Sequence, residues 1–152
     1  MLLTRKAWYG LIAVRHFAEK PPEGLLSAKD LADLYGFPQK ALAKILQRLA
    51  KAGLLLSHRG IKGGYTLARN PHQVTVLDVM MASEGAAGNG IHGKNWHELE
   101  SLPGYHRLRM VSQIVEDALR RVTIADIKEE AARPTDGEPH TVSYATTINA
   151  KE

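Results

Sequence analysis

The sequence predicts a mostly α-helical protein with a small β-hairpin wing, in which a winged helix-turn-helix is followed by a long dimerisation helix. Three observations lead to this fold class. Two helical patterns meet at a Gly-Phe turn within residues 27–52, and a glycine-rich hairpin pattern follows at residues 54–67. One long amphipathic pattern then covers residues 105–122.

The first two helices are predicted on either side of a helix-breaking run, KPPEG. Apolar side chains recur at helical spacing over residues 7–19, immediately before that run. After it, Ser27 and Asp30 stand at the spacing of a capping box, with an aspartate in the third position. We therefore expect a short second helix, with Leu31 and Leu34 facing the core.

The third helix is predicted to begin near Pro38 and to end before Gly53, because proline suits a first helical turn and glycine suits a C-terminal cap. Its apolar side chains form one stripe, which consists of Leu42, Ile45, Leu46 and Leu49. A helix-turn-helix places the start of its second helix in the major groove. We expect DNA contacts from the polar side chains off the stripe, which are Gln39, Lys40, Lys44 and Arg48.

The predicted wing consists of two short apolar runs that flank a basic, glycine-rich tip, HRGIKGG. Glycine permits a positive φ and close backbone approach, and the cationic tip suits a polyanion. An arginine at a hairpin tip can enter a minor groove or clamp a phosphate, so Arg59 is the main candidate. We expect His58 and Lys62 to contact the DNA backbone.

Residues outside the third helix and the wing could add phosphate contacts. Ser27 could bind a phosphate through its N–H and hydroxyl at a helix N-terminus, and a role as a cap alone is an equal alternative. The N-terminal residues Thr4, Arg5 and Lys6 could reach flanking phosphates. Charge supports this half of the chain as the nucleic-acid face. Residues 1–80 hold 12 Lys and Arg against 5 Asp and Glu, a net charge of +7, and the rest carries −3.

The C-terminal half is predicted to provide a partner surface. A capping-box pattern at residues 75–78 opens a helix to about Ser83, and a last helix ends near Arg133. Between them, the long helix carries an apolar stripe, which consists of Leu108, Val111, Ile114, Val115, Ala118, Leu119 and Val122. This stripe favours a twofold homodimer, with packing on its own domain as the alternative.

Composition excludes several classes of protein. The chain has no cysteine, so it forms no disulfide and no thiolate-ligated iron–sulfur cluster. No apolar run approaches the roughly 18 residues of a membrane span, and the charged N-terminus is unlike a signal peptide. We therefore expect a cytoplasmic protein without a membrane partner. The sequence offers no nucleophile–base pair, phosphate-binding loop or carboxylate cluster, which argues against an enzyme.

Several segments resemble the bacterial winged-helix regulators typified by IscR, NsrR and CymR. They are LTRKAWY, AGLLLSHRGIKGGYTLAR and VTVLDVMMASEG, and the wing motif RGxxGGYxLA is the most specific. The resemblance covers about residues 1–130 and implies a homodimer that engages a pseudo-palindromic operator. It divides the chain into a DNA-binding domain (1–84), a sensor-type loop (85–104), dimerisation and C-terminal helices (105–133) and a flexible tail (134–152).

The chain departs from that family pattern where a sensor would lie. Many members hold an iron–sulfur cluster on three cysteines of the loop, and some add an acidic ligand near the position of Trp8. An acidic residue on one member's recognition helix corresponds to Ala43, which leaves the operator sequence open. We predict no cofactor. A metal site from His92, His97 and His106, a small-molecule pocket near Trp96 and control by a protein partner are the alternatives.

The function predicted from these observations is a sequence-specific DNA-binding transcriptional regulator, a homodimeric repressor without a cysteine-ligated cluster. Its partners would be double-stranded DNA and a second copy of the chain. The alternative is a winged-helix protein-interaction module whose activity is set by a partner protein. The basic, glycine-rich wing favours DNA, because a protein-binding wing would tend to be neutral or apolar.

Overall fold

A computed structural model describes residues 3–19, 25–85 and 100–132, which excludes the predicted tail and most of the predicted loop. The mostly helical fold with a hairpin wing is confirmed. The elements follow in the order α1 (Arg5–Glu19), α2 (Ala28–Tyr35), α3 (Gln39–Lys51), β1 (Leu55–His58), β2 (Gly64–Leu67), α4 (Val76–Glu84), α5 (Tyr105–Arg121) and α6 (Ile124–Ala132). None of the described helices combines the length and the apolar content needed to cross a membrane.

Capping boxes fix the starts of α2 and α4, as the sequence predicts. The Asp30 backbone N–H donates to the Ser27 hydroxyl at 3.2 Å, and the Ser27 N–H donates to the Asp30 carboxylate at 3.0 Å. The same reciprocal pair joins Thr75 to Asp78. A third pair begins α6, where the Thr123 N–H donates to an aspartate carboxylate at 2.7 Å.

The core lies between α1, α3, α4 and α6, and the predicted stripe of α3 is fully buried in it. Leu31 is buried as predicted, but the inward prediction for Leu34 is wrong, because its side chain is 59 % exposed. The face of this eight-residue helix that packs on the core contains Leu31 and, one turn later, Tyr35, and Leu34 lies off that face. The Tyr35 ring stacks on Phe37 with centroids 5.5 Å apart, and both rings pack against the core.

The wing is tied to the body of the domain at its base. Its two strands are antiparallel, with Leu55 opposite Leu67 and His58 opposite Gly64. The Tyr65 N–H donates to the Leu26 carbonyl at 3.1 Å, which joins β2 to the segment before α2. A side chain on Gly64 would meet that same carbonyl oxygen at 2.5 Å, so the close approach needs glycine.

Helix α5 lies on the outside of the domain and contacts α4. Only Tyr105 and Glu116 are buried along its 17 residues. The helix ends at Arg121, one residue before the predicted end, because Val122 adopts an extended conformation. The carbonyl of that valine accepts a 2.9 Å hydrogen bond from the Val76 N–H, which ties the start of α6 to the start of α4.

Candidate nucleic-acid interface

The exposed face of α3 carries the polar side chains that the sequence assigns to the major groove. Gln39, Lys40 and Lys44 are all exposed, and the two lysines are one helical turn apart on the same row. The helix can present this face because its four apolar side chains are 0–2 % exposed and hold it against the core. The turn before it uses Gly36 at φ 68°, a left-handed conformation that suits glycine.

Arg48 occupies a different environment from the other candidates of α3. Its side chain is half-buried, and its Nη1 atom donates to the Ser83 carbonyl oxygen at 2.8 Å. A Cβ on Gly85 would lie 3.2 Å from the guanidinium carbon, so the arginine packs directly beneath the end of α4. This position stabilises a helix C-terminus, where a cation and a donor are both favourable.

The wing tip is a tight turn that holds its basic side chains away from the domain. Arg59 and Lys62 are exposed, and Gly60 has φ 123°. The Gly63 N–H donates to the Gly60 carbonyl at 3.0 Å, and a Cβ on Gly63 would lie 2.6 Å from the His58 carbonyl oxygen. Glycine is therefore required for the turn that positions the cations.

His58 and Ile61 add features of the wing that its charge pattern does not describe. The His58 Nε2 atom lies 2.8 Å from the Thr66 hydroxyl oxygen, so the imidazole is held across the two strands. Ile61 stands fully exposed at the apex, between Arg59 and Lys62. The charge pattern of the tip does not predict this exposed side chain, although an isoleucine directly after Gly60 could have signalled it.

Ser27, Thr4 and Lys6 already have partners within the domain, whereas Arg5 is exposed. Both the hydroxyl and the N–H of Ser27 donate to the Asp30 carboxylate, at 2.6 and 3.0 Å. These hydrogen bonds, the side-chain one first, hold the pKa of Asp30 below its ordinary value. At the N-terminus, the Thr4 hydroxyl donates to the Glu84 carboxylate, and Lys6 Nζ lies 3.7 Å from it.

The apolar stripe of α5 is largely exposed in a single chain. Leu108 and Ile114 are 70 and 66 % exposed, and Val111, Ala118 and Val122 are also exposed. Met110, which lies outside the predicted stripe, is 64 % exposed as well. Val115 is half-buried, and Leu119 packs against the core of its own domain.

The described residues contain no group of three or more His, Cys, Asp or Glu side chains arranged to hold a metal. His106 is exposed at the start of α5, with its ring 5.7 Å from that of Tyr105. His92, His97 and Trp96 lie outside the described residues. An iron–sulfur cluster on thiolates does not fit this chain, since it has no cysteine.

The sequence matches a family described as Rrf2, iron-dependent transcriptional regulator, over residues 3–130. A protein of Rhodopseudomonas palustris named as the HTH-type transcriptional regulator BadM is 35 % identical over 127 residues, which cover 84 % of this chain and 81 % of BadM. The HTH-type transcriptional regulator CymR of Bacillus subtilis is 30 % identical over 139 residues, covering 91 % of this chain and 94 % of CymR.

Solved structures share the fold along most of its length. The structure of IscR from T. potens superposes with a TM-score of 0.67 and 28 % identity, covering 91 % of this chain and 93 % of that one. The structure of CymR, named as the global cysteine regulator of B. subtilis, has a TM-score of 0.65 and 26 % identity, with 86 and 98 % covered.

Proposed function

The chain belongs to the Rrf2 family of transcriptional regulators, and we propose that it is a homodimeric repressor that occupies a pseudo-palindromic operator. It is a DNA-binding regulator of the helix-turn-helix type, and it lacks the cysteines that bind a cluster. In this proposal residues 1–84 bind DNA, residues 85–104 form a sensor-type loop, and residues 105–133 dimerise. The protein acts in the cytoplasm, where its operator is.

One observation carries the assignment of the DNA-binding surface. Between residues 39 and 64, the leucine and isoleucine side chains are buried except for those of Leu56 and Ile61, whereas the cations of the helix start and the wing tip are exposed. A positively charged helix beside a positively charged hairpin complements a major groove and the adjacent backbone. We assign the DNA contacts to Gln39, Lys40, Lys44, Arg59 and Lys62.

Ser27, His58 and Arg48 have supporting roles in this proposal. Ser27 and His58 can still face the DNA backbone, but each is first held by a partner within the domain. Arg48 acts as a positioning residue, because its hydrogen bond to Ser83 fixes the end of α3 against α4. The exposed tip of the wing is mainly cationic, which favours DNA over a protein as the partner of the wing.

Dimerisation is proposed through α5. A monomer would leave Leu108, Met110, Val111 and Ile114 in water along one helix, and a twofold partner would cover them. Two recognition helices would then meet two half-sites about one helical turn apart. Repression follows from occupancy, because a dimer bound over a promoter excludes polymerase.

We do not propose that this protein senses iron through a thiolate-ligated cluster. The family is described as iron-dependent, but the chain supplies no cysteine, and Trp8 of α1 has no atom that ligates iron. Control by a ligand or a protein partner takes its place. The relatives are named as transcriptional regulators, and we assign no catalytic reaction.

Selection of binding sites from random duplex DNA by the purified full chain tests the proposal. We expect an enriched inverted repeat and, for a dimer that neutralises about 6–10 phosphates, a slope of log K against log salt of roughly −5 to −9. In vitro transcription from a promoter that carries the enriched site should fall as the protein is added. Binding without sequence preference, or transcription that rises, would contradict the assigned function.

A further inference from the structure

A cavity of about 690 Å³ lies between the last turn of α3, the base of the wing and the C-terminal half of α4. Its apolar wall includes Leu54, Met81 and Ala82, and its basic wall consists of Arg48, Lys51 and Arg69. The cavity is at the opposite end of α3 from the side chains assigned to the bases. Its volume lies within the roughly 300–1,000 Å³ that is typical of small-molecule sites.

Glycines leave room for the two guanidinium groups of the cavity. Gly53 has φ 72°, and a Cβ at that position would lie 3.4 Å from Nη2 of Arg69. Gly85 has φ 84° and stands over Arg48 in the same way. Arg69 is exposed, and among the described residues neither it nor Lys51 forms an ion pair.

The two carboxylates that line the cavity already have hydrogen-bond or ionic partners within the domain. Asp78 accepts hydrogen bonds from the N–H and the hydroxyl of Thr75, at 3.0 and 2.8 Å. Glu84 is bound by the Thr4 hydroxyl and lies 3.7 Å from Lys6 Nζ. Thr75 is neutral, so its hydrogen bonds orient the Asp78 carboxylate without cancelling its charge, whereas Lys6 offsets part of the charge of Glu84. Three cations and two carboxylates line the cavity, which leaves its lining with a net charge of +1.

We propose that this cavity binds a small organic carboxylate with an apolar body, and that its occupancy alters DNA binding through α3. Arginine pairs well with a carboxylate, and the leucine, methionine and alanine wall suits a hydrocarbon portion. The last turn of α3 lines the site, and Arg48 joins that turn to the end of α4. The effect on DNA rests on the proposed function, whereas binding in the cavity does not.

The binding test uses the isotopically labelled full chain with hexanoate as the probe. Hexan-1-ol lacks the charge, and inorganic phosphate lacks the apolar body. We expect hexanoate to shift the backbone amide resonances of residues 51–54 and 78–85, and to bind at least tenfold more tightly than either comparison compound. Arg69→Gln should weaken hexanoate binding about tenfold, whereas Arg121→Gln, an equal loss of charge on α5, should not.

Each outcome of these titrations decides the proposal. Absence of hexanoate binding, equal binding of phosphate, or unchanged binding by Arg69→Gln would overturn the site. DNA affinity, measured by fluorescence anisotropy, should change at least threefold with saturating hexanoate in the original protein but not in Arg69→Gln. Hexanoate binding without that change would overturn the coupling, whereas hexanoate binding by a protein that binds no DNA would refute only the proposed function.

Discussion

Helices α3 and α5 have the same kind of amphipathic sequence and opposite environments. The apolar side chains of α3, such as Leu42 and Leu46, are fully buried within their own domain. Those of α5, such as Leu108 and Ile114, are mostly exposed to solvent. An apolar stripe therefore indicates that a helix face will be covered, but it does not identify what covers it.

The two helices differ because different numbers of neighbouring elements pack against them. Helix α3 lies between α1, α2 and α4, which cover its stripe and leave only its polar face outside. Helix α5 contacts α4, but only Tyr105 and Glu116 are buried along it, and most of its apolar stripe is exposed. We infer that one region of the chain folds to bind DNA and the other folds to bind a second chain.

The largest effect is expected where a charge is placed on the uncovered stripe. Ile114→Asp should raise the dimer dissociation constant at least about 100-fold, because an unpaired carboxylate would be buried in an apolar interface. Sedimentation velocity over a range of concentrations measures this. Gln113→Glu adds a charge at the preceding residue, which lies outside the apolar stripe, and should leave the dimer intact.

If Ile114→Asp still sediments as a dimer, the interface lies elsewhere on the molecule. Leu119→Asp is a poorer test, because Leu119 packs against the core of its own domain and its loss would also unfold the monomer. Within the predicted stripe, the exposed fraction of each side chain therefore distinguishes candidates for the interface from residues that pack on their own domain.

The next largest effect is expected at the wing. Arg59→Ala should weaken binding to the selected operator by about 1–3 kcal/mol, the range of one good contact to DNA. Arg107→Ala removes the same charge from α5 and should have little effect. Equal losses for the two variants would mean that the domain's overall charge, and not the wing tip, determines affinity.

A smaller effect is expected from the exposed isoleucine of the tip. Ile61→Ala should weaken operator binding by about 1 kcal/mol, because its side chain would be buried in a DNA groove on binding. Leu56→Ala, also an exposed aliphatic side chain but on β1, is the matched control. Fluorescence anisotropy with both variants compares them, and a larger loss for Leu56→Ala would place the strand, not the apex, against DNA.

The smallest effect is expected at the cap of α2. Ser27→Ala should raise the pKa of Asp30 part of the way towards its ordinary value, because it removes the hydroxyl hydrogen bond, the largest cause of the lowering, and keeps the backbone hydrogen bond. The carboxylate therefore stabilises the fold above the pKa it has in the unfolded chain, and that contribution is lost as the pH falls through the lowered folded-state pKa.

A carboxyl ¹³C titration of the original protein and of Ser27→Ala measures this shift. An unchanged pKa of Asp30 would mean that the hydroxyl of Ser27 contributes little to the ionised state. Operator affinity measured on the same pair separates the two roles of Ser27, because a residue that only caps α2 should lose little DNA binding when replaced.

Most of the local structure could be predicted because it depends on residues that lie close together in the sequence. The capping boxes at Ser27 and Thr75 join residues three positions apart, and the hairpin depends on glycines within one turn. The exposure of the candidate DNA-binding side chains could be predicted in the same way, and Lys40 and Arg59 are both exposed, whereas their contacts to DNA stay a prediction. These side chains needed no distant partner to be recognised.

The sequence by itself determined the winged-helix fold class, the basic half of the chain and the exclusion of a thiolate cluster, because composition and short-range pattern suffice for each. Only the tertiary structure decided that Arg48 caps α4, that Leu34 faces solvent and that a basic cavity adjoins α3. Arg48 and Ser83 are 35 positions apart, and such contacts depend on how whole helices pack. The spacing of residues along one helix does not predict how that helix packs against another.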